Sequence, residues 1–304
     1  MNKQSNLDIL SLIGNTPLLD VSNLLSNSGI SLFAKAEWMN PGGSLKDRSV
    51  KNMLLNAIND GELSKNKIII DSSSGNAAIA YSMIGNALGY KVEIVIPGNA
   101  SLERKQRIKA HGARIIETDP SEGYDEALRY VHGLVEKDPS KYYFCDQYSN
   151  KNNWLAHYNY TAVEIIEQMH NQFEYFVGGV GTGGSITGIG RKLKEVYPNI
   201  KVFGVRPEVW PGIEGLKPLG APDDIVPKIF DESVVDEWIY ITADESKEWC
   251  FKAAKAGLFL GQSSGSYLAA CNRIQAKINS GKIVTLFNDF GDRYFSAGLW
   301  DENV

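Results

Sequence analysis

The chain is poor in the residues that build metal centres and disulfide frameworks. Its 304 residues include three cysteines, Cys145, Cys250 and Cys271, odd in number and sharing no short spacing. That pattern argues against a disulfide framework or a zinc site, and buried thiols in a reducing cytoplasm are the expectation. The four histidines (His111, His132, His157 and His170) form neither HExxH nor HxH, so no metal site is expected. No apolar run reaches about eighteen residues, which argues against a membrane span. The opening MNKQSNLDIL has a single lysine and no continuous apolar core, and does not read as a secretory signal. A basic excess is missing too: 31 Lys and Arg against 36 Asp and Glu leave a net charge of −5, so nucleic acid is not an expected partner. Repeats, Pro-rich linkers and low-complexity tracts are also absent from the sequence.

What is present is an alternation. Short apolar runs are each followed by a glycine-bearing loop and a helical pattern. SLFAKAEW precedes NPGGS and a helix over 46–58; KIIIDSSSGN precedes one over 77–88. KVEIVIPGNA precedes a helix over 101–110, and EYFVGGVGTGGS one over 186–195. Strand, loop and helix in rotation predict an α/β fold with parallel sheets wrapped by helices. Runs such as Ile68–Ile70 and Val92–Ile96 suit strands buried on both faces. Ile79, Ala80, Met83, Ala87 and Leu88 form a stripe for core packing, with Gly89 as the helix stop. The length suits about two domains at roughly 150 residues each. Ligand sites in such folds lie at the carboxyl ends of strands, which directs attention to three loops.

NPGGSLKDRS puts Lys46 behind a loose glycine turn at a helix start. The positive end of the helix and partial desolvation both favour the neutral amine there, and a neutral amine forms a Schiff base with an aldehyde. A solvated surface lysine is the plainer reading of the loop alone. Ser72, Ser73, Ser74, Gly75 and Asn76 offer hydroxyls, an amide and backbone N–H groups to a carboxylate, or are simply a serine-rich cap. Gly181, Thr182, Gly183, Gly184 and Ser185 offer successive amides and two hydroxyls to an anion at a helix start, a phosphate cradle that is not a Walker loop. Gly179, Gly181 and Gly184 also spell GxGxxG, but after two other ligand-like loops and with Arg206 and Glu208 where one acidic residue is wanted. A lysine, a carboxylate grip and a phosphate cradle together describe what pyridoxal phosphate and an amino acid require.

The motif set resembles the cysteine synthase and cystathionine β-synthase family of fold-type II pyridoxal phosphate enzymes. The resemblance runs almost end to end, through IGNTPLL, NPGGSLKDR, SSGN, ERKQRIKAHGA, DQYSN, GTGGS, GQSSGS and GDRYFS in that order. It implies two closely packed domains of the tryptophan synthase β type, each a mostly parallel twisted sheet flanked by helices. Residues 45–151 would form the smaller domain, and 1–44 with 152–304 the larger. It implies that Lys46 is the Schiff-base lysine, that Asn76 bonds the cofactor's ring hydroxyl, that Gly181–Ser185 bind its phosphate, and that Ser263 faces the pyridine nitrogen. Ser73, Ser74, Asn76 and Gln147 match positions that grip the substrate carboxylate. A homodimer is implied as well. A serine, unlike an aspartate, cannot hold the ring nitrogen firmly protonated, so the expected course is loss of a group from Cβ through an aminoacrylate intermediate.

Two departures bear on the substrate. This chain reads SSGNAA where the family usually reads TSGNTG, so Ala77 and Ala78 replace a threonine and a glycine. One hydrogen bond to a charged group is missing, about 1.5–3 kcal/mol if nothing replaces it. The stretch Pro211–Asp231 resembles the loop lining the substrate mouth, and brings Glu214, Asp231 and Glu232 into consideration as a general base, Asp231 first; surface solvation is the plainer reading of each. The expected activity is cysteine synthesis from an activated serine and sulfide. The alternative is release of sulfide from cysteine with serine or pyruvate as product. Cystathionine synthesis and a catalytically silent binding homologue stand behind these two.

Overall fold

The computed structural model describes residues 8–73, 75–119, 123–170, 172–210, 212–219 and 225–301. In chain order, β1 (Leu18–Asp20) and β2 (Ile30–Ala36) precede α1 (Lys46–Asn59), β3 (Ile68–Ser72) and α2 (Asn76–Ala87). Then follow β4 (Lys91–Pro97), α3 (Leu102–Ala110), β5 (Arg114–Thr118), α4 (Gly123–Lys137) and β6 (Tyr142–Phe144). After them come α5 (Lys151–Ala156), α6 (Ala162–Gln168), β7 (Tyr175–Gly179), α7 (Gly184–Val196) and β8 (Lys201–Pro207). The chain closes with β9 (Glu237–Ile241), α8 (Ala243–Lys255), α9 (Gln262–Gln275) and β10 (Gly281–Phe287).

The strands make two sheets, one of six in the order β1-β2-β10-β7-β8-β9 and one of four in the order β5-β4-β3-β6. Every pairing is parallel except β1 with β2, as the strand–loop–helix alternation predicts. The parallel strands are apolar on both faces because helices cover both. Ile69, Ile70, Ile94, Val95 and Ile96 are fully buried in the smaller sheet, and Leu32, Phe176, Ile283 and Val284 in the larger. Burying each such side chain is worth about 1.5–3 kcal/mol, enough to override the weak preferences of the intervening loops.

The helix after the serine loop differs from its predicted face. From Ala77 to Gly85 every residue of α2 is buried, and Ala87, read as core, is exposed. The helix is sheathed on all sides over its first nine or so residues and emerges only at its end, where Gly89 follows with φ +76°, the left-handed stop expected of it. Between α5 and α6 lies a π-helical turn, His157–Thr161. His157 is buried there and bonds Thr161 Oγ1 at 3.0 Å, and α7 crosses the turn at Gly188, where a Cβ would meet the backbone of Trp154 and Tyr158. All three cysteines are buried free thiols, and burial pushes the Cys250 thiol up to about 12. Among the described residues no helix is long and apolar enough to cross a membrane.

The topology sets the site. β2, β10 and β7 are neighbours running the same way, and β3 lies in the second sheet. The loops at the carboxyl ends of these four strands carry Lys46, Asn288, Gly181–Ser185 and Ser73, and all four converge.

Candidate active site

Lys46 is the first residue of α1, so its amine stands at the helix's positive end. Its Nζ lies 3.5 Å from Thr182 Oγ1, in the glycine loop after β7 of the same sheet as β2. Desolvation lowers its pKa to about 8, which leaves a usable fraction of neutral amine near pH 7. The next residue, Asp47, turns the other way and is buried, accepting the Gly42 N–H. Burial pushes its carboxyl up to about 7, against that hydrogen bond and the nearby Arg293 and Arg107.

The loop after β7 is built for close approach. Gly183 has φ +79°, and a Cβ there would come 2.6 Å from Phe230. A Cβ on Gly181 would come 2.5 Å from the Gly215 carbonyl, and one on Gly184 would run into the Asn153 carboxamide. Ser185, partly buried, is the second residue of α7. The first amides of that helix have no carbonyl one turn earlier to bond and can serve an anion, the Gly184 N–H meanwhile reaching Thr182 Oγ1 at 3.4 Å. Asn153 braces the loop from behind. Its Nδ2 donates to Thr182 Oγ1 at 3.1 Å and to the Gln147 carbonyl at 2.7 Å. Gln147, itself buried, donates from Nε2 to the Ser72 carbonyl at 3.1 Å. A chain of contacts thus runs from the serine loop through Gln147, Asn153 and Thr182 to Lys46.

On the opposite side Asn76 opens α2 and holds two partners. Its Nδ2 donates to Asp289 Oδ2 at 2.7 Å, and its Oδ1 accepts from Arg293. One hydrogen of Nδ2 is left for a ligand. Arg293 also donates to the Gly42 carbonyl, so one guanidinium ties the lysine loop to the serine loop. Asp289 is fully buried and also accepts from Tyr294 at 2.7 Å. Burial raises its pKa, and Arg293, Tyr294 and Asn76 offset part of that. Ser263, buried in the first turn of α9, accepts from Asn288 Nδ2 at 2.9 Å. Ser73 is buried and its hydroxyl accepts from the Gly75 N–H at 3.3 Å; Ser74 lies outside the described residues.

Glu214, Asp231 and Glu232 are each matched to an arginine. Asp231 caps a short helical turn by accepting from Ser233, and its other oxygen sits 2.8 Å from Arg191. Burial works to raise its pKa, but Ser233 and Arg191 outweigh it and hold the carboxyl below its usual range. Among the described residues no hydrogen bond joins Asp231 to Lys46, Asn76 or Ser263, so the expected general-base role finds no support in these contacts. Glu232 pairs with Arg206 at 2.6 Å. Glu214 pairs with the buried Arg104, and its neighbour Gly215 lies beside Ser263. Pro211 and residues 220–224 of the same loop are outside the described residues. Arg206 and Glu208, at the end of β8, are occupied by Glu232 and by the first amide of α8. Neither is set to bind a ribose, which removes the reason to read GxGxxG as a dinucleotide fingerprint.

A glycine-rich amide cradle, a desolvated lysine beside it and a buried serine held by Asn288 suit a phosphorylated aldehyde ring. A model of the pyridoxal-phosphate dependent enzymes matches residues 9–289. The chain belongs to this family. Pyridoxal phosphate is its cofactor. Among relatives, a cysteine synthase of Aquifex aeolicus is 44% identical over 97% of this chain and 92% of its own. Among solved structures, a hydrogen sulfide-producing enzyme from Fusobacterium nucleatum superposes with a TM-score of 0.88 at 35% identity, covering 94% of this chain and 99% of that one. An O-acetylserine dependent cystathionine β-synthase from Helicobacter pylori gives 0.87 at 30% identity, over 96% and 98%.

Four residues of this family member's site escape a motif-by-motif reading: Asn153, Asn288, Asp289 and Arg293. The last three flank or lie within GDRYFS, so their neighbourhood is visible in the sequence although their bonds are not. Asn153 follows DQYSN directly, in KNNW.

Proposed function

We propose that the chain catalyses β-replacement on a serine-type amino acid, joining an activated serine to sulfide to give cysteine. One observation carries this: the Lys46 amine, lowered to about 8, stands 3.5 Å from a hydroxyl of the anion-binding loop, so a covalent anchor and a phosphate grip meet at one point. The cofactor, when bound, supplies an electron sink for the pair left at the substrate's Cα. Gly181–Ser185 hold its phosphate by backbone amides and two hydroxyls. Lys46 would anchor its aldehyde carbon and, as a neutral amine, would take the proton from the substrate's Cα and later return it. Asn76, with its remaining N–H, fixes the ring hydroxyl, and Ser263 meets the ring nitrogen. Ser73, Ser74, Asn76 and Gln147 receive the substrate carboxylate at the start of α2, where the helix favours negative charge.

Two domains, 45–151 and 1–44 with 152–304, belong to the same reading. It is supported by the membership of β3 to β6 in one sheet and of the other strands in the second. A homodimer and a cytoplasmic setting complete it, the latter supported by three buried free thiols.

A second reading is release of sulfide from cysteine. Ala77 and Ala78 are buried at the start of α2 with no hydroxyl to offer, and a sulfide-producing enzyme is among the structural relatives. Purified protein mixed with cysteine alone, then with acetylserine and sulfide, separates the two. Cysteine formed only in the second mixture supports the synthase, whereas abundant sulfide with serine in the first overturns it. In either case Lys46→Ala is expected to abolish turnover and the covalently bound cofactor's visible absorbance together. Survival of both would overturn the site.

A further inference from the structure

One buried carboxyl beside the serine loop has no part in the chemistry described so far. Asp71 is the last residue but one of β3 and is 1% exposed. It accepts the Ser72 N–H at 2.7 Å and the backbone N–H of Gln147. The Gln147 side chain donates in turn to the Ser72 carbonyl at 3.1 Å. Asp71 therefore joins, from the buried side, the two segments proposed to receive the substrate carboxylate. Among the described residues, the groups that face it supply no positive charge. From α2 comes the Tyr81 phenol, which hydrogen-bonds both Asp71 and the Cys145 thiol. From β6 and the segment after it come Tyr143, Cys145 and Asp146, the last a second acid that opposes ionisation of the first. β4 sets Ile94 beside it, and α1 packs Val50, Met53 and Leu54 into the core that holds Ile69 on the same face of β3. Burial outweighs the hydrogen bonds from Tyr81, Ser72 and Gln147 and pushes the carboxyl up to about 7.

The acid can be held there in either state, because its chain of partners reverses. Ionised, it accepts from Tyr81, and Tyr81 accepts from Cys145. Protonated, it donates to Tyr81, whose hydroxyl then donates to the sulfur. The Ser72 and Gln147 N–H groups keep an oxygen acceptor in both. Cys145 also lines an open cleft of about 360 Å³ with Asp60, Glu62 and Asp146, which gives a proton a path from solvent through the thiol and the phenol. A substrate carboxylate arriving at Ser73 and Gln147 brings a second negative charge to the segments that already hold the first. Like charges in a desolvated setting disfavour one another, and the group that can take up a proton gives way. We propose that Asp71 is a positioning residue that couples binding of the substrate carboxylate to uptake of a proton, so that the amino acid docks beside a neutral acid. The inference rests on the assignment of that carboxylate to Ser73, Ser74, Asn76 and Gln147 made under the proposed function.

The test is kcat/KM for the amino-acid substrate, measured from about pH 6 to about pH 8 in the wild-type holoenzyme and in Asp71→Asn. Asparagine has the shape of the protonated acid. Its oxygen accepts the two backbone N–H groups and its amide donates to Tyr81, but it does not titrate. Ionisation of Lys46 and of the substrate's own amine is common to both proteins and cancels in their ratio. The ratio of Asp71→Asn to wild type is expected to rise roughly tenfold across this range, as the wild type loses its protonated form above about pH 7. A flat ratio overturns the proposal. Should the asparagine variant not fold, Tyr81→Phe removes one hydrogen bond that favours the ionised acid. Its ratio to wild type is then expected to rise over the same range by a smaller factor, and a flat one overturns the proposal equally. Ser73→Ala separates the two levels. If it raises KM while the ratio stays flat, only the present inference falls. If it leaves KM unchanged, the carboxylate assignment falls first and takes this inference with it.

Discussion

Two loops meet at the site and are made in opposite ways. In the loop after β7, each glycine from Gly181 to Gly184 is pressed by a neighbour: the Gly215 carbonyl, Phe230 and Asn153. In the loop after β3, a Cβ on Gly75 would find nothing within 4 Å. The first loop is finished before any ligand arrives, its glycines serving the protein's own packing. The second keeps open space at the head of α2. The contrast fits the proposed division of labour, with a resident cofactor on the rigid loop and a passing substrate on the roomy one. Anchored groups can be held by a closed cradle, whereas a substrate that enters and leaves needs volume that folding does not fill.

The largest effect that would test this contrast lies where the two loops are tied. Arg293 spans the Gly42 carbonyl and Asn76 and is almost fully buried. Arg293→Leu would leave Asp289 buried with Arg104, whose influence is weaker, as its counter-charge, at a cost of about 3 kcal/mol. Chemical denaturation is expected to show the loss, and Asp289, whose pKa burial already raises, to hold its proton to higher pH than in the wild type. The sign follows. With Arg293 gone, the carboxyl's folded pKa, already above its unfolded value, rises further, so the variant recovers stability as pH falls and loses it as pH rises. A variant whose stability is flat from pH 5 to about pH 8 would mean that Asp289 is not held by this arginine.

Next in size is the rigid loop itself. Gly184→Ala drives a methyl group into the Asn153 carboxamide, which braces Thr182 and Gln147. Overpacking of this kind costs about 1–3 kcal/mol. Cofactor titrated into the apoprotein should bind roughly tenfold more weakly, the equivalent of about 1.4 kcal/mol. Unchanged affinity would remove the claim that the cradle is prebuilt.

The bracing residues also mark where the sequence stops being legible. Parallel sheets, the start of α1 at Lys46 and the stop at Gly89 follow from local signals: apolar runs, glycine turns and helix-end chemistry. Arg293 acts on Asn76 from 217 positions away, and no local pattern records that pairing. Asp231 shows the reverse case, a local pattern that carries two readings at once. Its place after an apolar run suggested chemistry, yet Asp-x-Ser is also the signature of a capping turn, and that is how Asp231 and Ser233 are bonded. The buried length of α2 was hidden for a third reason. Helix periodicity reports one apolar face, and Ala77, Ala78, Ser82 and Gly85 are small enough to be enclosed without announcing a second.

A smaller effect concerns the amine between the loops. Only neutral Lys46 can attack the cofactor's aldehyde, and its pKa is lowered to about 8 by desolvation. At pH 7 roughly a tenth of it is neutral. The rate of cofactor capture by the apoprotein should therefore rise about tenfold from pH 7 and level off above pH 8 or so. A rise that continues to pH 10 would place the amine in water, outside the enclosed site.

The smallest expected change in stability is at Gly75, and it is the sharpest test of the comparison. Its φ of −131° lies outside the left-handed region that favours glycine, and the space around a Cβ is empty. Gly75→Ala should therefore leave denaturation within about 0.5 kcal/mol of wild type and leave cofactor affinity alone. The methyl group would nonetheless occupy the volume assigned to the amino acid. KM for the first substrate should rise several-fold while the cofactor spectrum stays unchanged. If instead the variant loses cofactor, the two loops share one task, and the separation of resident from visitor is wrong. If KM does not move, the carboxylate lies elsewhere, and Ser73 with Gln147 would be bracing the fold only.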